Sequence, residues 1–154
     1  MGQERATSAL DGIRRRLRVD CIDLVLIHWP GAAKIPPDSP QHAVLRRATW
    51  RVLERELASG RCRAIGVSNY TARHLEELAA YADVLPAVNQ VEMHPQCAQA
   101  ALRATCARLG VAVVAYSPLG CGALLEHPAV AAAAAGMGCT PAQALLAWTL
   151  CRGT

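Results

Sequence analysis

Apolar residues along the chain follow two rhythms that alternate. Residues 20–27, 62–67, 86–91 and 111–115 form short runs that are apolar at most positions. Runs of this length and density predict strands buried on both faces. Between them, apolar residues recur three or four positions apart, as Leu10, Ile13 and Leu17 do, and as Trp50, Leu53 and Leu57 do. That spacing predicts amphipathic helices over 8–17, 46–58, 71–81 and 96–109. Gly60 and Gly110 are placed to end two of them, and Asn69 or Thr71 to cap a third. An alanine-rich segment predicts a helix over 128–135, alanine being the best helix former. Thr140-Pro141-Ala142-Gln143 reads as a capping box with proline at the first helical position, opening a helix that runs to 151. The proline-rich stretch 30–41, PGAAKIPPDSPQ, is a loop. Strands that alternate with helices in this way make right-handed βαβ units, so the fold class is α/β with about four parallel strands.

Composition narrows the class further. With 154 residues, 53% hydrophobic and 18% charged, the chain can bury a real core and is not of the disordered class. The net charge of +4 is almost all arginine, Lys34 being the only lysine. The arginines at 14–18 and 46–55 lie on predicted helices and read as solvated faces, not as a nucleic-acid surface. No apolar run is long enough to cross a bilayer, and the N-terminal stretch has no apolar signal core, so a cytoplasmic protein without a membrane partner is expected. Seven cysteines without Cys-x-x-Cys spacing argue against a disulfide framework or a zinc site. No histidine pair has metal-ligand spacing beside carboxylates, so no metal is expected. His42, His74 and His127 read as exposed, and His94 before Pro95 as structural.

The chemistry gathers where strands end. The first predicted strand runs into His28 and Trp29, the second into Ser68 and Asn69, and the fourth into Tyr116 and Ser117. The third carries Asn89 and Gln90. Strand starts show no such pattern. In parallel α/β folds the carboxyl ends are where ligands bind, because the βα loops collect there. Alternation places His28 on the same face as Ile22, Leu24 and Leu26.

Five stretches, LVLIHWP, GRCRAIGVSNY, PAVNQVEMHP, VVAYSPLG and TPAQALLAWTLCRG, together resemble the aldo-keto reductase family in order and approximate spacing, over nearly the whole chain. The resemblance implies a partial (β/α)8 TIM barrel, residues 1–154 corresponding to family strands 4 to 7 with their surrounding helices. It implies an NADPH-dependent oxidoreductase that reduces an aldehyde or ketone to an alcohol by hydride transfer, with a small-molecule carbonyl substrate. By the same resemblance His28 matches the catalytic histidine that hydrogen-bonds the substrate carbonyl, and Trp29 a wall of the substrate pocket. Ser68, Asn69 and Gln90 match the groups that hold the nicotinamide carboxamide, and Tyr116 the ring that stacks on the nicotinamide. Ser117 and Leu119 match the start of the pyrophosphate loop. The family's proton-donating tyrosine, with its aspartate and lysine, has no match: the tyrosines are Tyr70, Tyr81 and Tyr116, and Lys34 lies in the proline-rich loop. The expectation is a truncated form of a longer reductase that is inactive alone. The alternatives are a catalytically dead nicotinamide-binding module and a half-barrel interaction protein that self-associates through open sheet edges.

Overall fold

A computed structural model of the protein describes residues 2–154. In chain order the elements are α1 (Gln3–Leu17), β1 (Ile22–Ile27), α2 (Gln41–Ala58), β2 (Cys62–Ser68), α3 (Ala72–Ala79), β3 (Val88–Glu92), α4 (Ala100–Leu109), β4 (Ala112–Tyr116), α5 (Pro128–Met137) and α6 (Pro141–Leu150). The strands form one four-stranded sheet in the order β1-β2-β3-β4. Every neighbouring pair is parallel, as the βαβ alternation predicts.

Register fixes which residues share a face. Ile27 is level with Val67, Val67 with Asn89, and Asn89 with Val113. This row turns toward α1–α4, with Val25, Ile65, Val91 and Val111 on the same side. Ile27, Ile65, Val67, Val91 and Val113 join Leu10 of α1, Trp50 and Leu53 of α2, Leu75 and Leu78 of α3, and Leu102 and Cys106 of α4 in one buried cluster. The other face carries Leu24, Leu26, Ala64, Gly66, Val88 and Val114; Leu24 is 39% and Val114 36% exposed. β1 and β4 each pair on one side only among the described residues.

The helix starts depart most from the sequence expectation. α1 and α2 begin five residues earlier than the apolar spacing indicates. Their first turns are polar, and tertiary contacts hold them: the Gly2 amide donates to Thr49 Oγ1 at 3.1 Å. α4 begins later, at Ala100. The residues before it form a turn closed by paired backbone bonds between His94 and Cys97. The capping boxes of Thr71 and Thr140 both form.

Two burial expectations are corrected. His42 is buried at 8% exposure and His74 is half-buried, because α2 and α3 face each other across the proline-rich loop. Arg46 is likewise buried rather than solvated; its guanidinium donates to both Glu77 carboxylate oxygens, at 3.0 and 2.6 Å. A buried carboxylate, Glu56, sits between Arg14 and Arg61. Desolvation pushes its pKa up, but hydrogen bonds from Arg61 and Arg14 outweigh that, so it stays below the usual range. All seven cysteines are free thiols. Among the described residues no three His, Cys, Asp or Glu side chains cluster to hold a metal, and no single helix is long and apolar enough to cross a membrane.

Candidate active site

The carboxyl end of the sheet is built by turns that need unusual backbone. Asn69, directly after β2, has φ 62°, and Ser117, directly after β4, has φ 49°. Few side chains tolerate the left-handed region, and asparagine is among the better ones. The Asn69 turn is held from two sides. Its own amide donates to the Gln90 carbonyl at 2.9 Å, continuing the β2–β3 ladder. Beside it, Asn89 grips the backbone of Tyr70: Asn89 Nδ2 donates to the Tyr70 carbonyl at 2.9 Å, and Oδ1 accepts from the Tyr70 amide at 3.4 Å. Asn89 is fully buried and faces the helices. Without these partners a buried amide would cost about 1–3 kcal/mol. Sequence reasoning placed Asn89 at the strand end but gave it no task. The signal was a polar residue on the helix-facing side of an otherwise apolar strand.

That turn aims a connected polar chain across the rim. The Tyr116 hydroxyl donates to Asn69 Oδ1 at 2.8 Å. Asn69 Nδ2 donates to the His28 carbonyl at 2.9 Å and to Ser68 Oγ at 3.2 Å. The Ser68 hydroxyl donates to the Gln90 carbonyl at 2.7 Å. One continuous network thus runs from β1 through β2 to both β3 and β4. The register puts Gln90 beside Ser68. His28, Ser68, Asn69, Gln90 and Tyr116 therefore lie at one end of the sheet, where the strand-end pattern predicts them.

Not every predicted residue is equally available. Ser68 is buried, and its proton is already used inside the protein. The side chains of His28 and Gln90 make no hydrogen bond among the described residues. Trp29 is 54% exposed, and its ring centroid lies 5.8 Å from that of His28 at 49°. Trp29, Asn69 and Tyr116 line one cleft with Glu92, Cys97 and Gln99. Glu92 ends β3, and Cys97 and Gln99 belong to the loop before α4, to which no motif pointed; Gln99 Nε2 donates to the Glu92 carbonyl at 3.1 Å, and His94 Nε2 lies 3.1 Å from the Glu92 carboxylate. Ser117 and Leu119 open the turn into the short 3₁₀ segment Gly120–Gly122. There the Gly120 amide donates to the Ser117 carbonyl at 2.9 Å. The hydroxyls of Tyr70 and Tyr81 are buried on the helix side without a partner among the described residues. Burial pushes both phenols up, Tyr81 to about 12.

The arrangement offers a flat phenol ring tethered at its tip, free amide hydrogen-bonding capacity at Gln90, a network amide at Asn69, and an open imidazole beside an indole. Such a set suits a flat ligand with a carboxamide, next to a polarisable carbonyl.

Comparison with known proteins supplies the relatives. The sequence model described as the aldo/keto reductase family matches residues 1–152. An aldo-keto reductase of Mycolicibacterium vanbaalenii is 42% identical over 97% of this chain and 50% of its own length. A glyoxal reductase of Bacillus subtilis is 40% identical over 99% of this chain and 51% of its own length. The crystal structure of an aldo/keto reductase from Brucella melitensis superposes with a TM-score of 0.88 at 36% identity, over 99% of this chain and 55% of that one. A Bombyx mori aldo-keto reductase, solved in complex with NADP, superposes at 0.86 with 33% identity, over 99% of this chain and 52% of that one. The chain spans about half the length of the curated relatives it matches, and its four strands with flanking helices are a partial (β/α)8 barrel.

Proposed function

The chain belongs to the aldo/keto reductase family, and from that premise we propose that its sheet rim is the nicotinamide-gripping half of an NADPH-dependent carbonyl reductase site. In this reading residues 1–154 correspond to barrel strands 4 to 7. The observation that carries it is the hydrogen-bonded chain from Tyr116 through Asn69 to His28, beside the unengaged Gln90 amide. The donor set fits the group. A nicotinamide carboxamide presents one carbonyl acceptor and two N–H donors; the Gln90 amide can meet both kinds, and Asn69 supplies the opposite edge once Tyr116 yields its bond. The Tyr116 ring gives a face for stacking. Ser68 acts through Asn69 and the Gln90 backbone, and Ser117 and Leu119 open the turn toward the pyrophosphate.

The cofactor, when bound, supplies the hydride. This chain's residues position and polarise. His28, with its ring unengaged, donates a hydrogen bond to the substrate oxygen, where negative charge grows during reduction. Trp29 walls the substrate side, and the amide pair fixes which face of the ring is presented. A proton must also reach that oxygen. Tyr116 is tied to Asn69, and the hydroxyls of Tyr70 and Tyr81 are buried on the helix side. Lys34 sits in the 30–41 loop with φ 65°. A missing general acid costs about 10²–10⁴ in rate, so the chain by itself binds the nicotinamide end and turns over poorly.

Two measurements test this. Fluorescence titration of the purified chain with NADPH should show saturable binding that weakens about tenfold in Tyr116→Ala, a loss of stacking worth roughly 1.4 kcal/mol. Absence of binding, or equal affinity in Tyr116→Ala and Asn69→Ala, overturns the site. In steady-state NADPH oxidation with a small aldehyde, a turnover above about 1 s⁻¹ would show that the protein has its own proton donor.

A further inference from the structure

Two histidines outside the proposed site hold the segments that carry it. His42 of α2 is buried beneath the loop that follows His28 and Trp29. Its Nε2 lies 2.9 Å from the Pro36 carbonyl, which can only accept, so Nε2 carries the proton. Its Nδ1 accepts from the Ala32 amide at 3.1 Å, so Nδ1 carries none. Both ring nitrogens are thus committed in one neutral tautomer. His74, in the first turn of α3, holds the other segment through Nδ1 alone. Its Nδ1 accepts from the Thr71 amide at 3.3 Å, in the capping box just after the Ser68-Asn69-Tyr70 turn. The two side chains line one cleft of about 660 Å³ between α2, α3 and the proline-rich loop.

We propose that His42 and His74 are positioning residues that hold the 28–41 loop and the 68–71 turn through unprotonated Nδ1 atoms, so that acidification releases both segments together. Protonation at Nδ1 removes the acceptor from both amides: at His42 it sets two donors against each other, and at His74 it leaves only the Thr71 hydroxyl, 3.1 Å away, to accept. The charged groups facing the pair are Arg46 from α2, Arg73 and Glu77 from α3, and Asp38 from the loop. Arg46 also donates to the Pro30 carbonyl at 3.2 Å, a third hold that does not titrate. A third cation beside Arg46 and Arg73 is opposed by like charge, and Glu77 and Asp38 offset part of that. Burial, followed by Arg46 and Arg73, holds His74 below its ordinary range. A histidine whose folded pKa is depressed leaves stability intact above the unfolded value, about 6.5. That stability declines as pH falls through that value toward the folded one.

The hold itself does not depend on the function proposed above; its bearing on cofactor binding does. The test is amide hydrogen exchange by NMR on the full chain, from about pH 7.5 to about pH 5. After correction for intrinsic rates, the Ala32 and Thr71 amides should lose protection about tenfold or more, while Val67 and Val91 in the sheet keep theirs. His42→Asn and His74→Glu each retain an acceptor without the histidine titration, Glu completing an ordinary Thr-x-x-Glu capping box. Each should make its own amide insensitive to pH over that range. Protection at Ala32 and Thr71 that does not change overturns the proposal. So does parallel loss at Val67 and Val91, or pH sensitivity that persists in the acceptor-retaining variants. NADPH affinity measured across the same range is read separately: no binding at any pH, with the exchange result intact, removes the proposed function and leaves the histidine hold standing.

Discussion

The two faces of the sheet are made from the same strands and do opposite work. Toward α1–α4, Val67 and Ile65 are almost completely buried among Trp50, Leu53, Leu75 and Leu78. On the other face, Leu24 and Val114 stand partly in solvent although they are as apolar as their neighbours one residue away. Hydrophobic stabilisation follows area removed from water, at about 25 cal/mol per Å². The helix-covered face therefore supplies most of the stability of this chain. The second face contributes mainly geometry: by alternation it carries Gln90, and it ends at the rim that His28 and Tyr116 occupy. An apolar strand residue by itself does not reveal which of these jobs it does.

The largest expected effect tests the covered face. Ile65→Ala deletes a side chain that is 1% exposed. Removing it costs the transfer term and leaves a cavity, together about 2–5 kcal/mol. Urea unfolding followed by circular dichroism should show that loss as a lower midpoint with an unchanged slope. A cost below about 1 kcal/mol would mean that the helices do not pack on this face as described.

Much of this architecture was legible in the sequence, and the exceptions have physical reasons. All four strands and the helices between them were readable, because period and punctuation agree in each. The Thr140 cap was readable from residue type and spacing, and for α3 the reading offered Asn69 or Thr71, of which Thr71 is the cap. The early turns of α1 and α2 were not, since polar residues held by distant partners carry no periodic signal. His42, His74 and Arg46 were misread as exposed for a related reason: a polar side chain is buried only when partners satisfy it, and apolar periodicity does not reveal those partners. Glu77 is one and the loop carbonyls of Pro30 and Pro36 are others. At the rim, the strand-end pattern indicated where chemistry would collect. The family resemblance suggested which residues would carry it. Neither indicated that Asn69 would be engaged by both Tyr116 and the His28 carbonyl, nor that Asn89 would brace the turn beneath it.

A smaller effect sharpens the contrast at Gly66, a tightly packed point of the open face. A Cβ at Gly66 would lie 2.7 Å from Leu26 Cδ2, 2.8 Å from Val88 Cγ2 and 2.8 Å from the Val88 carbonyl oxygen. The carbonyl is backbone and cannot swing aside, so Gly66→Ala must shift β2 against β3. The expected cost is about 1–3 kcal/mol. Because Ser68 lies two residues on, on the same face, the shift should also disturb the Ser68–Gln90 bond. Displaced backbone resonances at Asn69 and Gln90 in an NMR spectrum of the folded variant would register it. An Ala variant as stable as the parent, with those resonances unmoved, would mean that the strands can spread on this face at no cost.

The smallest expected effect decides whether the open face is open in solution. Leu24 lies on β1, an outer strand of the sheet, and is among the more exposed apolar residues of the open face. Leu24→Thr exchanges an apolar side chain for a β-branched polar one that suits a strand equally well. For a position in solvent the change should stay within about 0.5 kcal/mol, and the unfolding midpoint should not depend on protein concentration. A cost above about 2 kcal/mol has only one physical source, which is burial of Leu24 against something. If that cost appears and grows with concentration, the cover is another copy of the chain, pairing through the free sides of β1 and β4. A cost that is large but independent of concentration places the cover within the chain itself and contradicts the two-faced sheet described here.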